Sequence, residues 1–343
     1  MGKTIERLKY RRQFLLAPQK INQFPYPNWT DISVGQSHWL YAHPDLPVTQ
    51  VNESSIRLTL IGYMVDSTRE FSAETQILRW ILSKINCDTE IFEGTESIGG
   101  RWILLVDSPD GFFLFHDPCG LRQVYYYKDG QKNIWCCTQP TLLSKFTKLE
   151  KDEEVSKLIA GSPHKNWLPG ELSEFAKVRK LLPNHLLKFD SRNVSRFWPK
   201  KPLDSIDLER GTNEISLLLK NCISNINRRF DLSLPLTAGR DSRTIFSACR
   251  EIIDDISVYT MLEPGLEPRS LDIEYPRKLT KRVGVKHSLL PGNERMEPWF
   301  EDIYMENVYN TNVAYWGPIT FGFVKGHPDT RVTLNGKCSE IGR

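Results

Sequence analysis

The sequence has no apolar run approaching the ~20 residues that a bilayer-spanning helix needs, which argues against a membrane span. It also has little charge imbalance: 45 Lys+Arg stand against 42 Asp+Glu, a net +3. That balance gives no electrostatic case for nucleic acid or for an anionic membrane surface as partner. Cysteine is sparse, with seven in all: Cys87, Cys119, Cys136, Cys137, Cys222, Cys249 and Cys338. The number is odd and no CxxC pair occurs, so a disulfide framework is not expected and a reducing cytoplasm is. No His/Cys/carboxylate group has zinc spacing. Internal repeats and low-complexity tracts are missing. The basic stretch Met1 to Gln19 holds only Phe14–Ala17 as an apolar segment, too short for the core of a secretory signal.

What is present is a chain of 343 residues, long enough for two domains. Residues 1–50 are rich in Pro, Asn and aromatics without a clear period from 17 onward, and read as an irregular lead-in. Residues 51–201 read as an α+β domain. Ile56–Val65 predicts a strand, and Ala73–Ile85 a helix with Ile77, Ile81 and Ile85 on one face. Trp102–Asp107 and Phe112–His116 flank a Ser-Pro-Asp-Gly turn, and Val124–Tyr127 and Ile134–Thr138 flank Asp129-Gly130, so two hairpins and an antiparallel sheet are expected. Leu181–Leu187 and Arg196–Pro199 read as its last strands, and Pro202–Gly211 as a linker.

The period then changes. Residues 212–343 alternate helix and strand: an amphipathic helix bearing Ile215, Leu218, Leu219, Cys222, Ile223 and Ile226, a strand at Leu232–Leu236, a helix at Thr244–Glu251, a strand at Ile256–Met261, a helix including Arg277–Val283, and a third strand at Thr330–Leu334. That pattern predicts a parallel, doubly wound sheet. Between the first strand and its helix lies Thr237-Ala238-Gly239-Arg240-Asp241-Ser242. Small residues there let backbone N–H groups turn toward an anion, and the helix N-terminus adds partial positive charge. Asp241 suits Mg²⁺ bridging phosphates, or simply a helix cap.

This loop resembles the Ser-Gly-Gly-x-Asp-Ser loop of the N-type ATP pyrophosphatases, and within them the asparagine synthetase group. Leu334-Asn335-Gly336-Lys337-Cys338-Ser339-Glu340 is similar to that group's second loop. The resemblance implies an adenine nucleotide alpha-hydrolase-like (Rossmann-like) α/β synthetase domain using ATP and Mg²⁺. Pro235, Thr237, Gly239, Asp241, Ser242, Thr260, Asn335 and Gly336 would meet ATP or pyrophosphate, and Asp241 and Glu340 the metal. Asp272 matches a recurrent family acid, with helix-terminal charge as an equal explanation. Departures are Ala238 for a Gly, Lys337 for a Glu tied to substrate chemistry, and Pro276 in a helix that is regular in the family.

His116-Asp117-Pro118-Cys119-Gly120-Leu121-Arg122-Gln123-Val124-Tyr125-Tyr126, with Gly99-Gly100-Arg101-Trp102, resembles the Ntn-hydrolase-like class II glutamine amidotransferase domain that precedes the synthetase domain in that family. Its chemistry needs an N-terminal Cys, whose α-amine serves as base. The chain begins Met1-Gly2-Lys3, so no glutaminase activity is expected. His116, Cys119 and the Cys136-Cys137 pair read as structural, and His287 as a packing residue. The family also continues with helices beyond the second loop, so the resemblance implies a C-terminally truncated form. Two readings stay open. One is an AMP-forming carbon–nitrogen ligase joining a carboxylate, such as a small molecule or glycan precursor, to ammonia or a substrate amine. The other is an inactive nucleotide- or partner-binding relative. A cytoplasmic location is expected, and a homodimer is compatible with the sequence.

Overall fold

The computed structural model describes residues 6–85, 88–161, 168–309, 313–327 and 331–336. The chain forms two units. The first comprises Met1–Val65, Ala73–Asp204 and Asp302–Thr311, the second Asp66–Ser72, Ser205–Glu301 and Asn312–Arg343.

The first unit contains β1 (Phe14–Ala17), β2 (Thr30–Val34), β3 (His38–Ala42), β4 (Val48–Glu53), β5 (Ile56–Asp66), α1 (Glu74–Lys84), α2 (Asp88–Gly94), β6 (Ile98–Ser108) and β7 (Gly111–His116). There follow β8 (Tyr125–Lys128), β9 (Ile134–Cys137), α3 (Pro140–Leu143), α4 (Glu153–Gly161), β10 (Val178–Lys180), β11 (His185–Lys188) and β12 (Asn193–Arg196). Two six-stranded sheets result, in the orders β10-β8-β9-β1-β3-β2 and β12-β11-β7-β6-β5-β4. Alternation along each strand assigns its two faces. Leu16, Leu40 and Ile134 of the first sheet share one buried cluster with Ile61, Leu105 and Leu114 of the second, so the sheets stack face to face. On the far side of the first sheet Leu15, Tyr41 and Cys137 pack with Leu142 and Leu143 of α3. On the far side of the second, Phe113 and Phe115 meet Phe92 of α2. Each fully buried Leu, Ile or Phe contributes roughly 1.5–3 kcal/mol. At the centre of the second sheet β5 and β6 come unusually close. A Cβ at Gly62 would lie 2.2 Å from the Arg101 carbonyl oxygen, and one at Gly100 would lie 2.4 Å from that of Tyr63.

The expected irregular lead-in over residues 1–50 is corrected here, since it holds β1, β2 and β3 and the start of β4. β1 is buried at all four positions, because its sheet is covered on both faces; it therefore shows no alternation to read. Cys136 and Cys137 are buried and their thiols pushed up by burial, as suits small core hydrophobes.

His38 packs against the stacked pair Phe112 and Phe189, with ring centroids 5.4 and 4.7 Å away. Burial lowers its pKa from 6.5 to about 4. A depressed folded-state value means that the unfolded chain binds the extra proton first, so stability is intact above pH 6.5 and falls as pH drops toward about 4. The loss is at most about 3 kcal/mol. His38→Phe, which keeps a ring in the slot, is expected to flatten the urea-unfolding free energy over that window. An unchanged acid slope in the variant would refute the assignment.

The second unit contains α5 (Leu208–Asn227), β13 (Leu232–Pro235), α6 (Arg240–Ala248), a 3₁₀ turn (Arg250–Asp255), β14 (Ile256–Leu262), α7 (Leu271–Val283), β15 (His287–Pro291), the start of α8 (Pro298–Asn307), α9 (Val313–Gly326) and β16 (Val332–Thr333). The four strands are parallel in the order β15-β14-β13-β16. The mixed α/β chain thus combines antiparallel sheets with one parallel sheet. Three sequence expectations change. The strand at 330–334 is the fourth and not the third, because β15 is short and only Leu290 in it is buried. The linker ends earlier, since Asp207 caps α5 by accepting from the Arg210 N–H at 2.9 Å. Of α5's predicted apolar face, Ile223 and Ile226 are buried whereas Ile215 and Leu218 are exposed.

Pro276 does not interrupt the helix after Asp272, and α7 runs through it. Proline removes one helical donor, while both ends are secured. Ser270 Oγ accepts from the Asp272 N–H, and Gly284 closes the C-terminus at φ +78°.

Candidate functional site

In β13 → β14 → β15 the chain moves one way across the parallel sheet; it then returns to place β16 on the other side of β13. Such a reversal opens a crevice at the carboxyl ends of the strands on either side of it. The turn after β13 and the segment after β16 both lie there.

The first turn is held by side chains. The Leu236 N–H donates to Tyr259 O at 2.8 Å, extending the pairing with β14. The Thr237 N–H then donates to Ser242 Oγ at 3.1 Å, and the Gly239 N–H to Thr237 Oγ1 at 3.1 Å. The Ala238 N–H donates to Asp272 Oδ1, from the first turn of α7, at 2.8 Å. Next comes α6, whose N-cap, Gly239, brings no side chain. The first N–H groups of a helix point out of its N-terminal end, here toward the segment after β16. Gly336, from the segment after β16, abuts this turn. A Cβ there would lie 2.8 Å from Asp241 Cβ and 3.0 Å from its carbonyl carbon, so only glycine lets the two segments touch.

Above them opens a cleft of about 440 Å³. Thr237, Gly239, Asp241, Ser242, Asn335 and Gly336 form its polar floor, and Tyr259, Met261, Trp316, Ile319 and Phe323 an apolar wall. Pro235 also lines it. Of the residues proposed from sequence to meet a nucleotide, Thr260 alone is not part of the cleft lining. It is buried, and its hydroxyl donates to Leu236 O at 2.7 Å while standing 2.8 Å from His287 Nε2. A hydroxyl has one proton to give, so His287 Nε2 carries the hydrogen and donates to Thr260. Burial, with Arg277 nearby, lowers the His287 pKa. Glu340 lies outside the described residues, so Asp241 stands as the described half of the expected metal pair. Among the described residues no group of three or more His, Cys, Asp or Glu side chains could hold a metal ion.

Sequence reasoning missed the wall. Trp316, Thr320 and Phe323 recur at i, i+4 and i+7 on α9, a spacing that marks one helix face. Their signal was masked because α9 is apolar on most sides. Glu263, beyond the end of β14, also lines the cleft and accepts a hydrogen bond from the Tyr315 hydroxyl. That bond pushes the Tyr315 pKa up to about 12.

In the first unit the residues of the amidotransferase resemblance do structural work. Asp117 accepts from the Leu121 and Arg122 N–H groups at 2.8 and 2.9 Å. The two ring nitrogens of the buried His116 stand 3.0 Å from Asp117 O and 3.3 Å from Leu181 O, and the protonated nitrogen of a neutral ring donates to one of these carbonyls. Arg122 donates to the Arg101 and Arg12 carbonyls, and burial lowers its pKa to about 10. β1 starts at Phe14, whose N–H donates to Thr138 Oγ1 at 3.1 Å. Among the described residues no helix is long and apolar enough to cross a membrane.

No protein-family model matches the sequence, and no curated protein does. Among solved structures the chain is similar to glutamine phosphoribosylpyrophosphate amidotransferase from B. subtilis complexed with ADP and GMP. The TM-score is 0.32 at 10% identity, over 90% of this chain and 67% of that one. It is also similar to a structure described as the allosteric regulatory enzyme of purine biosynthesis, with TM-score 0.33 at 10% identity over 88% and 73% of the two chains. Neither similarity is close enough to assign an activity.

Proposed function

We propose that the cleft of the second unit binds ATP, and that the chain is an asparagine synthase-related, ATP-dependent amide-forming ligase without glutaminase activity. It would adenylate a carboxylate, on a small molecule or glycan precursor, and pass it to ammonia or a substrate amine. The observation that carries this reading is the meeting of two loops at the switch point of a parallel sheet, beside an apolar wall. A purine suits the slot beside Trp316 and Phe323. Phosphates suit the N-terminus of α6 with Thr237 and Ser242 as hydroxyl neighbours. Mg²⁺, held by Asp241 and Glu340, would neutralise charge on the phosphates. The chain's own part is positional: a preorganised turn aimed at developing charge. The amidotransferase-like first unit, with its Ntn-hydrolase-like stacked sheets, fits a retained but non-hydrolytic domain.

One observation favours the second reading, an inactive nucleotide- or partner-binding relative. The Asp272 carboxylate already occupies the Ala238 N–H, and a fixed anion beside a phosphate is unfavourable. ATP–pyrophosphate exchange with Mg²⁺ across amino and uronic acids separates the two. Exchange above background with at least one acid is expected. No exchange with any acid, alongside measurable ATP binding, would leave the inactive reading standing.

A further inference from the structure

Tyr259, Met261 and Glu263 are alternate residues along β14 and its extension, and all three line the cleft. A strand places alternate side chains on one face, so the row runs outward from apolar to charged. Glu263 closes it beyond the last strand residue, Leu262. One carboxylate oxygen, Oε2, accepts from the Tyr315 hydroxyl on α9, and the other has no hydrogen-bond partner among the described residues. A carboxylate is an acceptor only, with two oxygens able to take two neighbouring donors. The Tyr315 bond fixes its rotamer, so the free oxygen is presented to the cleft with little ordering cost.

We infer that Glu263 holds the vicinal hydroxyls of the nucleotide's ribose, with Tyr315 as a positioning residue, so that the cleft selects ribonucleotides over deoxyribonucleotides. This rests on the ATP reading above. A carboxylate beside a triphosphate is otherwise a repulsive choice. Two hydroxyl donors are the part of a nucleotide that rewards it, and the sugar lies between the base and the phosphates.

The test compares binding of ATP, 2′-deoxy-ATP and 2′,3′-dideoxy-ATP to the full chain by calorimetry in the presence of Mg²⁺. Hydrogen bonds to a charged group predict that ATP binds roughly tenfold or more tightly than the dideoxy analogue. Glu263→Ala should collapse that ratio toward one, and ATP can then bind no worse in absolute terms because the repulsion goes too. Tyr315→Phe should keep part of the ratio. Glu263→Gln, which preserves shape, should narrow it, and serves if the alanine variant does not fold. A ratio unchanged in both Glu263 variants overturns the inference and leaves ATP binding intact. Failure of the wild type to bind any of the three overturns the nucleotide reading, and the inference with it.

Discussion

Asp241→Ala is expected to lower ATP–pyrophosphate exchange by a factor of about 100 or more, the scale of losing one preorganised electrostatic group at a phosphoryl site. Asp241 lies in the first turn of α6, lines the cleft, and packs against Gly336 of the second loop. A carboxylate at that place does two opposed things. It stabilises the helix N-terminus, by about 0.3–1 kcal/mol for a partly exposed group. It also repels phosphate unless a cation intervenes, so in a nucleotide site its presence calls for Mg²⁺. The two roles separate experimentally. If Asp241 acts only on the dipole of α6, from the first turn behind the Gly239 N-cap, Asp241→Asn should lower stability slightly but retain exchange, because the lost charge then faces no phosphate. If it holds the metal, asparagine should lose nearly as much as alanine, and raising Mg²⁺ should restore part of the rate. Wild-type exchange rates in both variants would remove Asp241 from the site. Melting temperatures are needed beside the rates, and a shift corresponding to no more than about 1 kcal/mol is expected.

Gly322→Ala is expected to destabilise the second unit by at least ~4 kcal/mol, the upper end of single-substitution effects. Ordinarily this change inside a helix stabilises by about 1 kcal/mol. Here the added methyl carbon would fall 1.4 Å from the carbonyl oxygen of Pro291 and 2.5 Å from its carbon. Both are backbone atoms of β15, so no rotamer change relieves the overlap. α9 must move off the sheet, and with it go Trp316, Ile319 and Phe323, the wall of the cleft. A loss of cooperative unfolding in the calorimetric trace of the second unit is the expected signature. Gly284→Ala is a useful contrast. It has open space around it but a positive φ, and should cost only about 1 kcal/mol. A Gly322→Ala protein as stable as the wild type would show that α9 does not rest on β15 as described.

Much of this architecture was readable in advance where a pattern had room to repeat. Helix α1 buries Ile77 and Ile81, as the spacing indicated, together with Leu78 and Leu82, while Ile85 falls at the C-cap and is half-buried. The hairpins at Gly111 and Gly130 carried their own turn chemistry. The turn after β13 was legible because small residues, hydroxyls and an acid between a strand and a helix have few other uses. Strands of four or five residues with both faces covered were not legible: β1 offers no alternation, and β15 is half-exposed on the parallel sheet. Helix α9 was hidden for the opposite reason, being apolar almost throughout. The side-chain hydrogen bonds that shape the site, Asp272 to Ala238 and Tyr315 to Glu263, join residues whose proximity exists only after folding. No local spacing announces them.

Thr260 gives its one proton to Leu236 and takes one from His287, so the polar thread from β15 through β14 to β13 has a direction. It crosses three strands and ends on the carbonyl immediately before Thr237. A substitution at His287, which does not line the cleft, therefore loosens the peptide from which the turn departs, and would register in a kinetic screen as a defect of the turn itself.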